Sequence, residues 1–413
     1  MAWNIPHSPL TPTLRPEEYR ENMESLSVKL SGGLDQDDFE HEGDGGEILI
    51  DRDIDLASGK VINVGNLPVP IFDAYAFGMA HDTPAQNSNA LREALAAAGA
   101  ETGGGIVWIP PGLWVIDSAE ALAIPSGVVV RGAGPGTTVL QSVFRGSETD
   151  PEIRLDGHSG LSSVFGPTLE NLSLTCDRSV APEDRRQVGV VVTGANCQVR
   201  NCTVTRYGKT QIRLQNAYYA NISGVRAAMM EKNEDNEWYD GSVGIDVLGR
   251  GNNIVGCVVT QVAYGIDGSG GLGNRAIACH GTDCDIVLRA ETSFSHGAIS
   301  GCSFGGNSTD TSPKLTAYCV GTSIVGNSFY GRGLNASIFA LRSRIIGNSF
   351  TSVPVDWNVP SLHVQSNSPE LDADSPILVG NSCVGTLQYA GYFIPEQPSR
   401  TDDSNWWADV QEF

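Results

Sequence analysis

Between Met229 and Ser242 the chain reads MMEKNEDNEWYDGS, which places Glu231, Glu234, Asp235, Glu237 and Asp240 around Trp238 and Tyr239. Aromatic faces beside carboxylate acceptors are what a sugar-binding surface needs. Hydrolysis of a glycosidic bond needs two carboxyl groups, one kept protonated and one ionised. A separation of about 5 Å implies retention, and about 6.5–9.5 Å inversion. Glu237 and Asp240 are the expected catalytic pair, with Asp267 a further carboxylate that can approach from downstream. Trp238 and Tyr239 are the expected stacking platforms. The competing reading is a solvated acidic loop on an acidic protein.

Two other long connections carry the residue types of a groove wall. Cys176–Val188 holds Asp177, Glu183, Asp184, Arg185 and Arg186. Val353–Ser375 holds Asp356, Trp357, His363, Glu370, Asp372 and Asp374. If all three protrude on one side, Trp357 and Trp238 flank a glycan. Arg178, Arg185, Arg186, Arg206 and Lys209 are the main basic concentration. They suit a carboxylated sugar, because arginine binds carboxylate bidentately. The simpler expectation is that they neutralise the local acids.

No metal and no cofactor is expected. Cys279 and Cys284 stand at an unusual spacing for zinc, with no second pair nearby. Calcium takes six to eight oxygens, and no ordered aspartate ladder offers them. Phosphate-loop, nucleophile-elbow and zinc-protease motifs are missing from the sequence.

The elements that must position these residues announce themselves by a repeated phrase. It reads Ile-Ser-Gly-Cys-Ser-Phe at 299–304, Ile-Val-Gly-Asn-Ser-Phe at 324–329, Ile-Ile-Gly-Asn-Ser-Phe at 345–350 and Leu-Val-Gly-Asn-Ser-Cys at 378–383. Looser copies stand at 169–174, 199–204 and 254–259. Asn327 and Asn348 are 21 residues apart, and Cys257 and Cys302 are 45 apart, room for two coils with Arg275–Cys279 as the middle member. Such a unit cannot bury its own apolar side, so it must stack. A leucine ladder is lacking, and no amphipathic helical period appears after residue 99. The spacing predicts a parallel β-helix of nine or ten coils over about 125–385. Cys202, Cys257, Cys302 and Cys383 should point into it as small apolar residues.

The 413 residues include 48 glycines, and Asp plus Glu number 48 against 26 Lys plus Arg, a formal net charge of -22. That field repels nucleic acid and anionic membrane. No apolar run is long enough to span a bilayer, and the first residues lack the charged-then-apolar pattern of a signal peptide. Neither nucleic acid nor membrane insertion is expected.

Pro16, Glu17 and Glu18 start a predicted helix whose stripe of Tyr19, Met23, Leu26 and Leu30 is narrow enough for a helix seam. Short strands are expected at Ile48–Ile50 and Ile54–Leu56. Asn87 or Ser88 should cap a helix through Ala98, with Leu91, Ala94, Leu95 and Ala98 on one face. That helix is placed to cover the open end of the solenoid. Strands follow at Ile106–Ile109 and Leu113–Ile116, joined by Pro110-Pro-Gly112.

The run FGMAHDTPAQNSNALREALAAAGAETGGGIVWIPPGLWVI at 77–116 resembles the entry segment of pectate-lyase-like parallel β-helices, which phage tailspikes carry. Phe77-Gly78, Ala90-Leu91, Gly103–Gly105 and Pro110–Gly112 match the pattern, whereas His81–Asn87 replaces its Asp-rich turn. LSGGLDQDDF and DIDLASGKVINVGNLPVPIFDAYAF resemble the opening of tail-fibre and tailspike proteins. The resemblance implies an all-β chain, a single-stranded right-handed parallel β-helix with a helix cap. It divides into an attachment segment (1–70), an entry region (71–124), the β-helix (125–390) and a tail (391–413). It also implies a homotrimer in the virion tail, docked to other tail proteins through its N-terminus and recognising, or cleaving, bacterial surface polysaccharide. A non-catalytic structural virion protein and a cellular polysaccharide-active β-helix enzyme, hydrolase or lyase, are the alternatives.

Overall fold

The computed structural model describes residues 60–61, 69–80, 83–145, 151–158, 166–231, 241–290, 294–305, 315–332, 336–353, 362–366, 377–391 and 406–412. Each copy of the repeated phrase is a strand, a two-residue corner and a second strand. In the copy at 299–304, Ile299, Cys302 and Phe304 are buried, while Ser300, Gly301 and Ser303 face outward. The third position turns the corner with a positive φ, 62° at Gly301, 64° at Gly326 and 62° at Gly347. Only glycine, and to a lesser degree asparagine, takes that conformation without strain. Asn171 and Asn201 serve in the earlier copies, at 59° and 49°, and Ala278 is the exception at 51°.

The fourth position explains why cysteine and asparagine alternate there. The thiols of Cys257, Cys279 and Cys302 donate to the carbonyls of Ile222, Ile254 and Ala276, one coil back, at 3.4, 3.4 and 3.5 Å. Asn327, Asn348 and Asn381 donate through Nδ2 to Ile299, Ile324 and Ile345 at 2.9, 2.9 and 2.8 Å. Both side chains do one task. Asparagine adds a second, because Asn348 Oδ1 accepts the Asn327 backbone N–H and Asn381 Oδ1 that of Asn348. The cysteines therefore lie inside the stack, as expected for Cys202, Cys257 and Cys302. Burial pushes the Cys202 thiol up to about 12. The Cys383 side chain lies outside the described residues.

The coils stack into three parallel faces. The first face is a 13-stranded sheet, parallel from Ile71–Asp73 to Ile377–Val379, with Lys60–Val61 added antiparallel at its start. From Val129–Gly132 onward it gives ten rungs, within the expected nine or ten. The second face starts at Gly112–Ile116 and the third at Leu122–Pro125. They merge into one 20-stranded ladder because Val258–Gly268, His280–Ala290 and Ser382–Gly391 run through the bend unbroken. Trp406–Glu412 closes the far end of that ladder, parallel to Ser382–Gly391. The chain is a parallel β-helix.

Inward columns are aliphatic on the first and third faces and aromatic at the end of the second. Val199, Ile222, Ile254, Ile299, Ile324 and Ile345 are all fully buried. Phe304, Phe329 and Phe350 follow one another in register, the last two rings stacked at 5.0 Å. Each such side chain contributes roughly 1.5–3 kcal/mol by leaving water.

Helix α1 spans Pro84–Ala100. Leu91, Ala94, Leu95 and Ala98 are buried as expected, but the start differs. Thr83 occupies the cap position and Pro84 opens the first turn, where its missing N–H costs nothing. Asn87 is inside the helix and ties it to the coils instead. Its Oδ1 accepts the Ala80 N–H at 2.7 Å and its Nδ2 donates to the Val115 carbonyl at 2.8 Å. The predicted helix at 16–30 and the strands at 48–50 and 54–56 lie outside the described residues.

Candidate functional site

Insertions leave the β-helix mainly where the second face turns into the third. Arg226–Ala228 ends the second-face strand before the 229–242 insertion, and Val243–Arg250 resumes on the third face. Ser173–Cys176 and Val188–Ala195 bracket the first long connection at the same corner. Ser349–Val353 and Leu362–Ser366 bracket residues 354–361, again at that corner. The third connection is therefore split. His363 belongs to a third-face strand, and residues 367–376 leave at the next corner. Glu237, Trp238, Tyr239, Asp240 and Trp357 lie outside the described residues.

Three members of the basic cluster, Arg185, Arg186 and Arg206, form ion pairs. Arg185, almost fully buried, meets Glu231 at 2.6 Å, and Arg206 lies 3.6 Å from the same carboxylate. Arg186 meets Glu152 at 3.1 Å, both buried, and its guanidinium lies over Phe144. Burial drives the Glu152 carboxyl upward, and Arg186 opposes the shift.

The chemistry-bearing constellation among the described residues stands on the third face itself. In one outward column Arg213 pairs in register with Asp246, Asp246 with Asp267, and Asp267 with Arg289. Thr316 and Ser337 continue it. Arg213 Nε donates to Asp246 Oδ2 at 2.9 Å. Arg289 grips Asp267 with two bonds, Nε to Oδ1 at 2.7 Å and Nη2 to Oδ2 at 2.5 Å. Tyr264 lies beneath the Arg289 guanidinium, 4.3 Å from it to the ring centroid. Tyr318, two residues past Thr316 on the outward side, is 56% exposed.

The two aspartates share a rung spacing of about 4.8 Å but not an environment. Asp246 is 7% exposed and Asp267 5%. Burial raises the Asp246 carboxyl above its usual range. Arg213 pulls it down, Asp267 adds to the rise, and Arg289 opposes it. Asp267 is the carboxylate expected to approach the site from downstream, whereas Asp246 is not among the residues expected from the sequence. Its signal was present as Gly-Ile-Asp at 244–246 and again at 265–267, spaced by 21 residues, the separation of Asn327 and Asn348.

Residues 71–269 match a family described as rhamnogalacturonase A/epimerase, pectate lyase-like. Over those residues the chain is similar to the pectate-lyase-like β-helix proteins. No curated protein matches it in sequence. Among solved structures this β-helix is similar to PfbA, a surface adhesin of Streptococcus pneumoniae, with a TM-score of 0.58 and 12% identity over 77% of this chain and 86% of that one. It is similar to the mannuronan C-5 epimerase AlgE4 A-module of Azotobacter vinelandii, with a TM-score of 0.51 and 16% identity over 79% and 98%. The Dettilon tailspike protein (gp208) also matches, with a TM-score of 0.48 and 14% identity over 78% and 68%. The family match meets the expectation of a pectate-lyase-like β-helix. No helix among the described residues is long and apolar enough to cross a membrane.

Proposed function

We propose that the chain is a phage tail spike or fibre component that recognises a bacterial surface polysaccharide along its third face. The glycan crosses the Arg213–Asp246–Asp267–Arg289 column, with Tyr318 as an exposed platform. The observation that carries this reading is the column itself, four charged residues in register on the third face, beside the corner from which the insertions leave. Arginine and aspartate together offer donors and acceptors to sugar hydroxyls. In the insertion, Trp238 and Tyr239 are proposed as stacking platforms, Glu237 and Asp240 as its carboxylates, and Trp357 as the opposite wall. Residues 1–70 are proposed to dock to other tail proteins, and the assembly is proposed to be a homotrimer. The phage role is supported by the resemblance of 25–39 and 53–77 to tailspike openings.

A second reading, cleavage, is favoured by one observation. The two carboxyls stand on adjacent rungs, at about the 5 Å spacing of a retaining pair. Asp246 is driven toward its protonated form, whereas Asp267 is clasped by Arg289. Asp246 would then act as general acid and Asp267 as nucleophile. Incubation with host capsule or lipopolysaccharide, followed by analysis of released oligosaccharide, separates the two readings. Binding without release supports recognition alone, and absence of binding at the third face contradicts both.

A further inference from the structure

The corner between the first and second faces carries no charge over its last six rungs. Outward beside that corner on the first face stand Val255, Ile277, Ser300, Val325, Ile346 and Val379, in register. The corner positions themselves are glycines, apart from Ala278. Outward on the second face stand Val258, His280 and four serines, from Ser303 to Ser382. These eighteen outward positions hold no Asp, Glu, Lys or Arg. At the chain's own charged fraction of 18%, three of them would be charged. The same columns in earlier rungs do carry charge, at Glu170, Arg200 and Arg226. Val258 and Val325 are each 36% exposed. The strip is about 24 Å long, at about 4.8 Å per rung.

We infer that this ridge is where copies of the chain meet, side by side around a rotation axis that runs along the β-helix. Closed rotational symmetry is the default for identical chains. On such an axis every residue faces copies of itself, so any charge placed there opposes its own sign. A protein of net charge -22 has few places where two copies approach without repulsion, and this ridge is one. Side-chain-poor corners allow close approach, and the valine and isoleucine column supplies apolar contact. The inference shares with the proposed function only the premise of self-association, and it assigns the surface.

The test uses the full chain. Sedimentation equilibrium at micromolar concentration should give a multiple of 43.8 kDa. Val325→Asp should raise the dissociation constant at least tenfold with an unchanged melting curve. Ser328→Cys should join chains through a short bismaleimide, whereas Leu272→Cys, exposed at the corner between the third and first faces, should not. A monomeric parent overturns the inference, as does an oligomer in which Ser328→Cys stays unjoined. If Val325→Asp fails to fold, the cross-linking result decides. Glycan binding lost in Val325→Asp at unchanged mass would assign the ridge to sugar and also overturn it. An oligomer joined at Ser328→Cys that binds no glycan leaves the inference standing and removes the proposed function.

Discussion

At the scale of single residues, the carboxyl groups differ because their surroundings differ. Asp246 has its folded-state carboxyl raised chiefly by burial, so its neutral form persists to higher pH than in water. If the glycan is cleaved, Asp246→Asn and Asp267→Asn should each cut turnover by about 10²–10⁴-fold, with sugar affinity changed far less, because the lost interaction belongs to the transition state. Initial rates and titration calorimetry on the same variants check this. Glu152 gives a pH signature of its own. Its folded-state carboxyl is raised above the unfolded value of 4.5, so its contribution to stability is full below that pH and is lost as pH rises through the folded value. The stability of the parent relative to Glu152→Gln should therefore fall from pH 4.5 to pH 7.5. Denaturant midpoints of both proteins at the two pH values measure the slope, and a rise would contradict the assignment.

At the scale of elements, the corner phrase is where stability and legibility coincide. Asn348 Oδ1 accepts the Asn327 N–H, and its Nδ2 donates to the Ile324 carbonyl. Asn348→Ala strands both buried groups and should cost about 2–5 kcal/mol. Asn348→Cys keeps a donor for the Ile324 carbonyl, as Cys302 has for Ala276, and should cost less. Ala278→Gly should stabilise by about 1 kcal/mol, since a left-handed alanine is strained. Urea midpoints rank the three variants. The phrase could be read from sequence because its constraints are local: a left-handed third position admits Gly or Asn, and the fourth admits a small inward donor. The Asp246–Asp267 pair was hidden for the opposite reason. It lies within strands, where Gly-Ile-Asp reads as one more apolar step, and it becomes a pair only through a register 21 residues long. The helix start was displaced because Asn87 has the chemistry of a cap but is used to bind the Ala80 N–H and Val115 carbonyl.

At the scale of the whole molecule, three faces divide the work. The inward columns hold the stack, the third face carries the charged column, and the corner between the first two faces is free of charge over its last six rungs. Deleting residues 1–59 should abolish incorporation into tails while leaving the β-sheet circular dichroism and the melting transition of the β-helix in place. Particle assembly assays and thermal melts check the two halves separately. The central claim is that a surface polysaccharide lies across the third-face column. The most direct measurement is a crystal structure of the full chain soaked with host-surface oligosaccharide. The account predicts sugar density within hydrogen-bonding distance of Asp246, Asp267 and Arg289, with a ring against Tyr318. Density confined to another face, or none at a concentration that saturates binding in solution, would contradict it.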